Sequence, residues 1–470
     1  MKKLLLLIFA ILIRVGTEAQ DFSQFLSHLE SLPEDQRQSV SDSFLAANPV
    51  SPLTEQDTLC HFLYKGEAGT LMLAGDATQW SPMHAFTRVQ STDFWYLSLV
   101  YEADARLDYK LVINGSNWIL DSRNPYTCSG GFGPNSELRM PAFIPPDEIQ
   151  YQATVAHGTL RDTVFASIHL SNSRKIWIYT PHESYGDKPL PVVYVHDGDG
   201  FLALASMRNV LDNLMAAGRI QPLIAVFVPP VDRTDEYAGA KQAAFTKFMT
   251  EELVPYIDHR YNTMPHPWGR ANLGASNGGN IALWLCVSHP EMFGLAAAMS
   301  SNVEPNIRQQ VEQGVVPSVK FYLDLGTYDI PILIDRVRSF RDLLQASEET
   351  LYYKEFHEGH SWGNWKAHID DALIYLFGSI QGAGYLPAPG WDLKYNSMER
   401  RFDIGIPEGM KPPFRLSLLS LNGVSHGQAY YTGNETRIEY RHPPLPQGMY
   451  VLNLQNRTLS CSHKVLLGTL

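Results

Sequence analysis

Residues 270–288 read RANLGASNGGNIALWLCVS. The apolar run RANL gives way to Gly274-Ala275-Ser276-Asn277-Gly278, extended by Gly279, and then to NIALWLCVSH, an apolar stretch of helical length. A strand that turns into a helix through G-x-S-x-G is the setting in which a serine is held above a sheet on a sharp, strained turn. The small flanking residues permit the turn, and the helix N-terminus behind it favours negative charge on an atom bound beside the serine. The pentapeptide alone recurs by chance. The strand before it and the helix after it make Ser276 the candidate nucleophile.

Outward from this turn, residues 150–382 alternate strand-like and helical stretches. KIWIYTP, LPVVYVHDG, PLIAVFVPP, GLAAAMSS, KFYLDLGT and LYYKEFH have the length and apolar content of strands buried on both faces. Helical runs such as AFTKFMTEELVPYIDHRY and IPILIDRVRSFRDLLQAS lie between them. The alternation predicts a doubly wound, mostly parallel α/β sheet, whose ligands bind beyond the carboxyl ends of the strands.

Serine is a weak nucleophile and needs a base, itself oriented by an acid. In a sheet of this type the partners follow in the order Ser, Asp or Glu, His. Asp329 stands in GTYD after the strand KFYLDLG, and His360 in EGHSW after LYYKEF. Asp324 is the rival acid, but it lies inside an apolar run; Glu358 stands only two residues from the histidine. His157, His196 and His289 lack this placement. The backbone N–H of Asn277 and one from the loop His196-Asp197-Gly198-Asp199-Gly200 are the expected oxyanion donors, Asp199 being favoured over Gly198.

The remaining sequence frames this segment. Lys2 and Lys3 precede a short apolar run, which reads as a secretory signal peptide over 1–19 cut after Ala19, leaving no membrane-spanning segment. A helical segment is expected over 20–57, a β-sandwich over 58–145, a linker over 383–400 and a small β-domain over 401–470. Trp80, Trp95, Tyr109 and Trp118 form either the sandwich core or a ligand platform. The formal charge of −12 in 470 residues argues against nucleic-acid or anionic-membrane partners. Of four cysteines, Cys60 and Cys128 fall near the two ends of one domain, which leaves a bridge between them open; Cys286 reads as a buried apolar residue, and the spacing with Cys461 suggests no metal site. No cofactor is expected.

The stretches VVYVHDGDGF, FVPPVDRTDEYAG, FMTEELVPYIDHRYNT, GASNGGNIALWLCVSHPEMFG, LGTYD and GHSWGNW resemble the enterochelin-esterase branch of the esterase D family, kin to feruloyl and acetylxylan esterases. The resemblance implies an α/β-hydrolase fold and a serine esterase with Ser276, Asp329 and His360 as triad. It also implies Arg233, Glu236 and Trp362 near the substrate, although an ion pair is the competing reading for the first two. The stretch from FLYKG to GFGPNSELRMP resembles the immunoglobulin-like domain preceding many such esterases, and more distantly carbohydrate-binding modules. The tail, with SLLSLNG and LPQGMYVLNL, resembles a type IX secretion sorting domain. Together these imply a secreted or cell-surface enzyme, with the periplasm as alternative, acting on a small-molecule or polysaccharide-linked ester. A siderophore trilactone esterase, an acyl transferase and a non-catalytic carbohydrate-binding surface protein are the other readings.

Overall fold

The computed structural model describes residues 21–378, apart from 187, 315–318 and 348, together with strands between 393 and 467. The signal-peptide expectation and most of the linker lie outside the described residues. The chain divides into two compact units, one of residues 1–128 and 134–143, the other of 129–133 and 144–470.

In the first unit two helices, Phe22–Ser31 and Glu34–Ala47, precede the strands. Asp21 caps the first helix by accepting from the Ser23 N–H. Phe22, Phe25, Leu29 and Leu45 pack with Leu63 and Phe94 of the strands. Leu59–Lys65 pairs antiparallel with Phe94–Val100, and Leu71–Gly75 with Arg106–Ile113. The two pairs meet through Phe62 and Tyr109, edge to face at 5.0 Å. Trp95 and Tyr109 are buried and Trp118 is exposed, while Trp80 donates to Asp76, so these rings line no common platform. Cys60 is a free, buried thiol, so the bridge to Cys128 that the sequence left open is not formed. Burial pushes it far above the ordinary thiol range and keeps it protonated.

The second unit is built on eight strands: β1 (Thr159–Ser167), β2 (Asn172–Thr180), β3 (Val192–His196), β4 (Ile224–Val228), β5 (Arg270–Ala275), β6 (Leu295–Met299), β7 (Lys320–Tyr328) and β8 (Thr350–Gly359). Their order is β1-β2-β4-β3-β5-β6-β7-β8. The first two are antiparallel to their neighbours and the rest are parallel. This is the α/β-hydrolase arrangement. The apolar runs follow from it: Val192 and Tyr194 of β3 enter the core on one face, and Val193 and Val195 enter the core on the other. A strand covered on both faces has no polar side to alternate with.

Chain order reverses at β3, since β4 lies on one side of it and β5 on the other. The carboxyl ends of β3 and β5 therefore open a crevice that no crossover helix fills, where ligands bind in such sheets. In the tail, antiparallel strands such as Arg401–Gly405 with Arg437–Arg441 and Phe414–Ser420 with Gly448–Gln455 enclose a separate apolar core around Phe402, Leu416, Ile438 and Leu452.

Candidate active site

Ser276 follows β5 directly and precedes helix α1 (Asn277–Ser288), with φ 56° and ψ −124°. For a residue with a Cβ this backbone costs on the order of 1–3 kcal/mol, so its surroundings must hold it. The Ser276 N–H donates to the Met299 carbonyl at 2.8 Å, and its own carbonyl accepts from Asn280 N–H at 3.0 Å. Gly274 is required, because a Cβ there would run into the Gly278 backbone. The first N–H groups of α1, Asn277 included, have no partner within the helix and converge beside the serine.

Asp329 and His360 come from the ends of β7 and β8, two and three strands from β5. The β7–β8 register shifts between Gly326 and Tyr328. Such a bulge re-aims the residues beyond it, and Asp329 and His360 meet there: His360 Nδ1 lies 2.8 Å from Asp329 Oδ1. The carboxylate is buried and also accepts from the Ile330 N–H at 2.6 Å. A proton held on Nδ1 by a carboxylate leaves Nε2 as the basic nitrogen. The Trp365 ring stands edge-on to the imidazole at 5.2 Å and limits its rotation.

The rival acids are committed elsewhere. Asp324 is buried in β7 and accepts from the Tyr322 hydroxyl at 2.9 Å; burial pushes its carboxyl up to about 7. Glu358 is bonded to His368 Nε2 at 2.5 Å.

After β3 the chain passes through Asp197 at φ 55° into a short helix, Gly198–Ala203. The N–H groups of Gly198 and Asp199 are in its first turn, at the strand end next to Ser276. A Cβ on Gly198 would stand 2.5 Å from the backbone of Phe227 and Val228, so only glycine lets β3 and β4 approach here. Trp362 opens the helix Trp362–Phe377 and packs edge to face on Phe201 at 5.3 Å and on Trp365 at 5.0 Å. It forms a half-buried wall between the histidine loop and the β3 loop.

Arg233 lies at the head of the helix Arg233–Ala238 and is bonded twice to Asp197. Glu236 needs a correction. Its carboxylate is fully buried in a bidentate pair with Arg174 of β2, at 2.8 and 2.9 Å, and also accepts from Val231 N–H. It is an internal tie, not a substrate contact. The signal was in β2: a lone arginine before an apolar strand run needs a buried partner. Sequence reasoning also gave Asp197 no role, since its partner lies 36 residues away.

The segment Ser129–Gly133 groups with the hydrolase unit. A Cβ on Gly131 would stand 3.9 Å from Trp362 Nε1, and Phe132 beside it is fully exposed. Val231, Ile330 and Ile332, on the loops that carry Arg233 and Asp329, are exposed as well.

Residues 167–376 match the family model described as "Putative esterase". That segment is similar to the esterase family over somewhat less than half of the chain. The chain is 23% identical over 273 residues to an iron(III) enterobactin esterase of Escherichia coli, an alignment covering 55% of this chain and 67% of the relative. It is 26% identical over 206 residues to an endo-1,4-beta-xylanase/feruloyl esterase of Xylanibacter ruminicola, covering 41% of this chain but 28% of that one. The structure of the Shigella flexneri enterobactin esterase in the presence of enterobactin superposes with a TM-score of 0.61 at 19% identity, covering 71% of this chain and 97% of that one. These comparisons support a carboxylic ester hydrolase. No helix among the described residues is long and apolar enough to cross a membrane.

Proposed function

We propose that the chain hydrolyses carboxylic esters through an acyl-enzyme on Ser276, with His360 as general base and Asp329 as its orienting acid. The observation that carries this reading is the combination of a serine at φ 56° on a strand-to-helix turn with a part-buried His360–Asp329 hydrogen bond at neighbouring strand ends. Ser276 Oγ attacks the ester carbonyl as His360 Nε2 takes its proton. The tetrahedral oxyanion accepts from the Asn277 N–H and from that of Asp199 or Gly198. Collapse expels the alcohol with the proton from His360, and water repeats the cycle on the acyl-enzyme. Each oxyanion donor contributes roughly 3–4 kcal/mol in comparable sites.

The substrate class follows from three supports. The loops around the site carry exposed Phe132, Val231, Ile330 and Ile332, which suit an apolar or aromatic group. The relatives include a feruloyl esterase and an enterobactin esterase. The likeness of the N-terminal run to a leader and of the tail to a sorting domain supports an enzyme outside the cytoplasm, secreted or at the cell surface. An aromatic or acetyl ester linked to polysaccharide fits all three, and a siderophore trilactone fits the first two. In this reading the N-terminal strands form an immunoglobulin-like domain that holds carbohydrate.

The test is hydrolysis of p-nitrophenyl acetate, methyl ferulate and a ferric catecholate trilactone by the wild type and by Ser276→Ala. Serine-dependent turnover is expected, fastest on the ferulate. Equal inertness of two folded proteins would overturn the hydrolase reading, and preference for the trilactone would replace the polysaccharide substrate by a siderophore.

A further inference from the structure

Arg233 touches both chain segments that supply the oxyanion donors, yet the mechanism above gives it no step. Its Nε donates to Asp197 Oδ1 and its Nη2 to Asp197 Oδ2, each at 2.8 Å. Nη2 also reaches the Ala275 carbonyl at 3.3 Å. Asp197 immediately precedes Gly198 and Asp199; Ala275 immediately precedes Ser276 and Asn277. One planar cation therefore grips the residue that follows β3 and the last residue of β5 at once.

The loop is held from a second side. The Asp197 N–H donates to the Tyr237 hydroxyl at 3.0 Å, and that hydroxyl donates to the Val228 carbonyl at 3.3 Å. Asn280 of α1 donates to the Tyr237 carbonyl at 2.9 Å. Asp197 is nearly buried, and a Cβ on Gly278 would stand 2.7 Å from its Oδ2. Its carboxylate thus lies against the first turn of α1, where a developing oxyanion draws on the same N–H groups. An unneutralised carboxylate there would repel that oxyanion in a poorly screened setting. Burial pushes the Asp197 carboxyl up, and the bonds and charge of Arg233 pull against it.

We propose that Arg233 is a positioning residue for ester hydrolysis, which aligns the two oxyanion donors through Asp197 and Ala275 and neutralises the carboxylate that faces them. This rests on Ser276 being the nucleophile. The role needs the fork of an arginine, because a lysine ammonium is a single point that cannot make two parallel bonds and a third to a carbonyl.

The test compares Arg233→Met, Arg233→Lys and the double variant Arg233→Met/Asp197→Asn with the wild type on p-nitrophenyl acetate. Affinity for a boronic acid, which forms a tetrahedral adduct on the serine, is measured alongside. For Arg233→Met, kcat is expected to fall about tenfold to a hundredfold, below the loss for deleting a donor outright, with KM within about twofold because the effect is confined to the transition state. Boronate affinity falls in parallel with kcat/KM. Arg233→Lys keeps the charge and recovers part of kcat, and the double variant recovers part by removing the uncompensated carboxylate. Should Arg233→Met fail to fold, as judged by its urea transition, Arg233→Lys carries the same kcat-against-KM test.

Unchanged kcat with unchanged boronate affinity overturns the proposal. So does a loss confined to KM for an anionic ester such as p-nitrophenyl hemisuccinate, which would make Arg233 a substrate contact. A wild type no faster than Ser276→Ala removes the hydrolase reading and this inference with it; an active wild type with an unimpaired Arg233→Met removes this inference alone.

Discussion

Two histidine–carboxylate pairs stand near the end of β8. Asp329 and His360 meet beyond the ends of β7 and β8, whereas Glu358, the penultimate residue of β8, meets His368 from the helix Trp362–Phe377. Chemically the pairs are alike. Their difference is which nitrogen is used. The carboxylate engages Nδ1 of His360, which leaves Nε2 to move a proton, but it engages Nε2 of His368, whose ring is also stacked on Phe356 at 3.3 Å. A histidine–acid pair becomes a base only where the fold leaves the other nitrogen facing a substrate.

Four substitutions break or sharpen this contrast. His360→Ala is expected to lower kcat by about 10⁴- to 10⁶-fold, measured on p-nitrophenyl acetate at saturating ester. Asp329→Asn comes next, at roughly 10⁴-fold, because it stabilises the wrong tautomer of His360. Near-normal turnover would transfer the acid role to another carboxylate. His368→Gln is expected to change kcat less than about threefold while lowering stability by about 1–3 kcal/mol, since Glu358 loses a buried partner; urea unfolding reads the second effect. A collapse of kcat in this variant would erase the distinction between the pairs.

Asp324→Asn has the smallest expected effect, visible only as a pH dependence. With its carboxyl held up at about 7 in the folded protein and near 3.9 in the unfolded chain, Asp324 keeps its proton on folding between those values. The folded state then binds more protons than the unfolded one, so stability falls as pH rises from about 4 to about 7. Asparagine cannot titrate, and the slope of unfolding free energy against pH across that window should flatten. An unchanged slope would mean Asp324 is ionised in the folded protein.

How much was legible follows from distance along the chain. The turn at Ser276 is five residues with its own strand and helix on either side, so its geometry is written locally, in small residues where the backbone needs room. The parallel sheet announces itself because strands covered on both faces must be apolar throughout. Glu236 was left between a substrate contact and an ion pair because its partner Arg174 is 62 residues away. In sequence a buried bidentate pair looks like two solvent-facing charges. The suggested Cys60–Cys128 bridge failed for a related reason: both residues lie in one unit, but spacing says nothing about where side chains point.

The sequence by itself determined the class of sheet and the turn that strains Ser276, because burial and backbone strain restrict which residues each position accepts. Only the tertiary structure decided which carboxylate meets His360, that Glu236 is tied to Arg174, and that Arg233 joins the ends of β3 and β5. Those choices depend on a register shift of one strand against another and on side chains converging from distant segments, and the energy of such contacts is set by three-dimensional proximity rather than by neighbours in the chain.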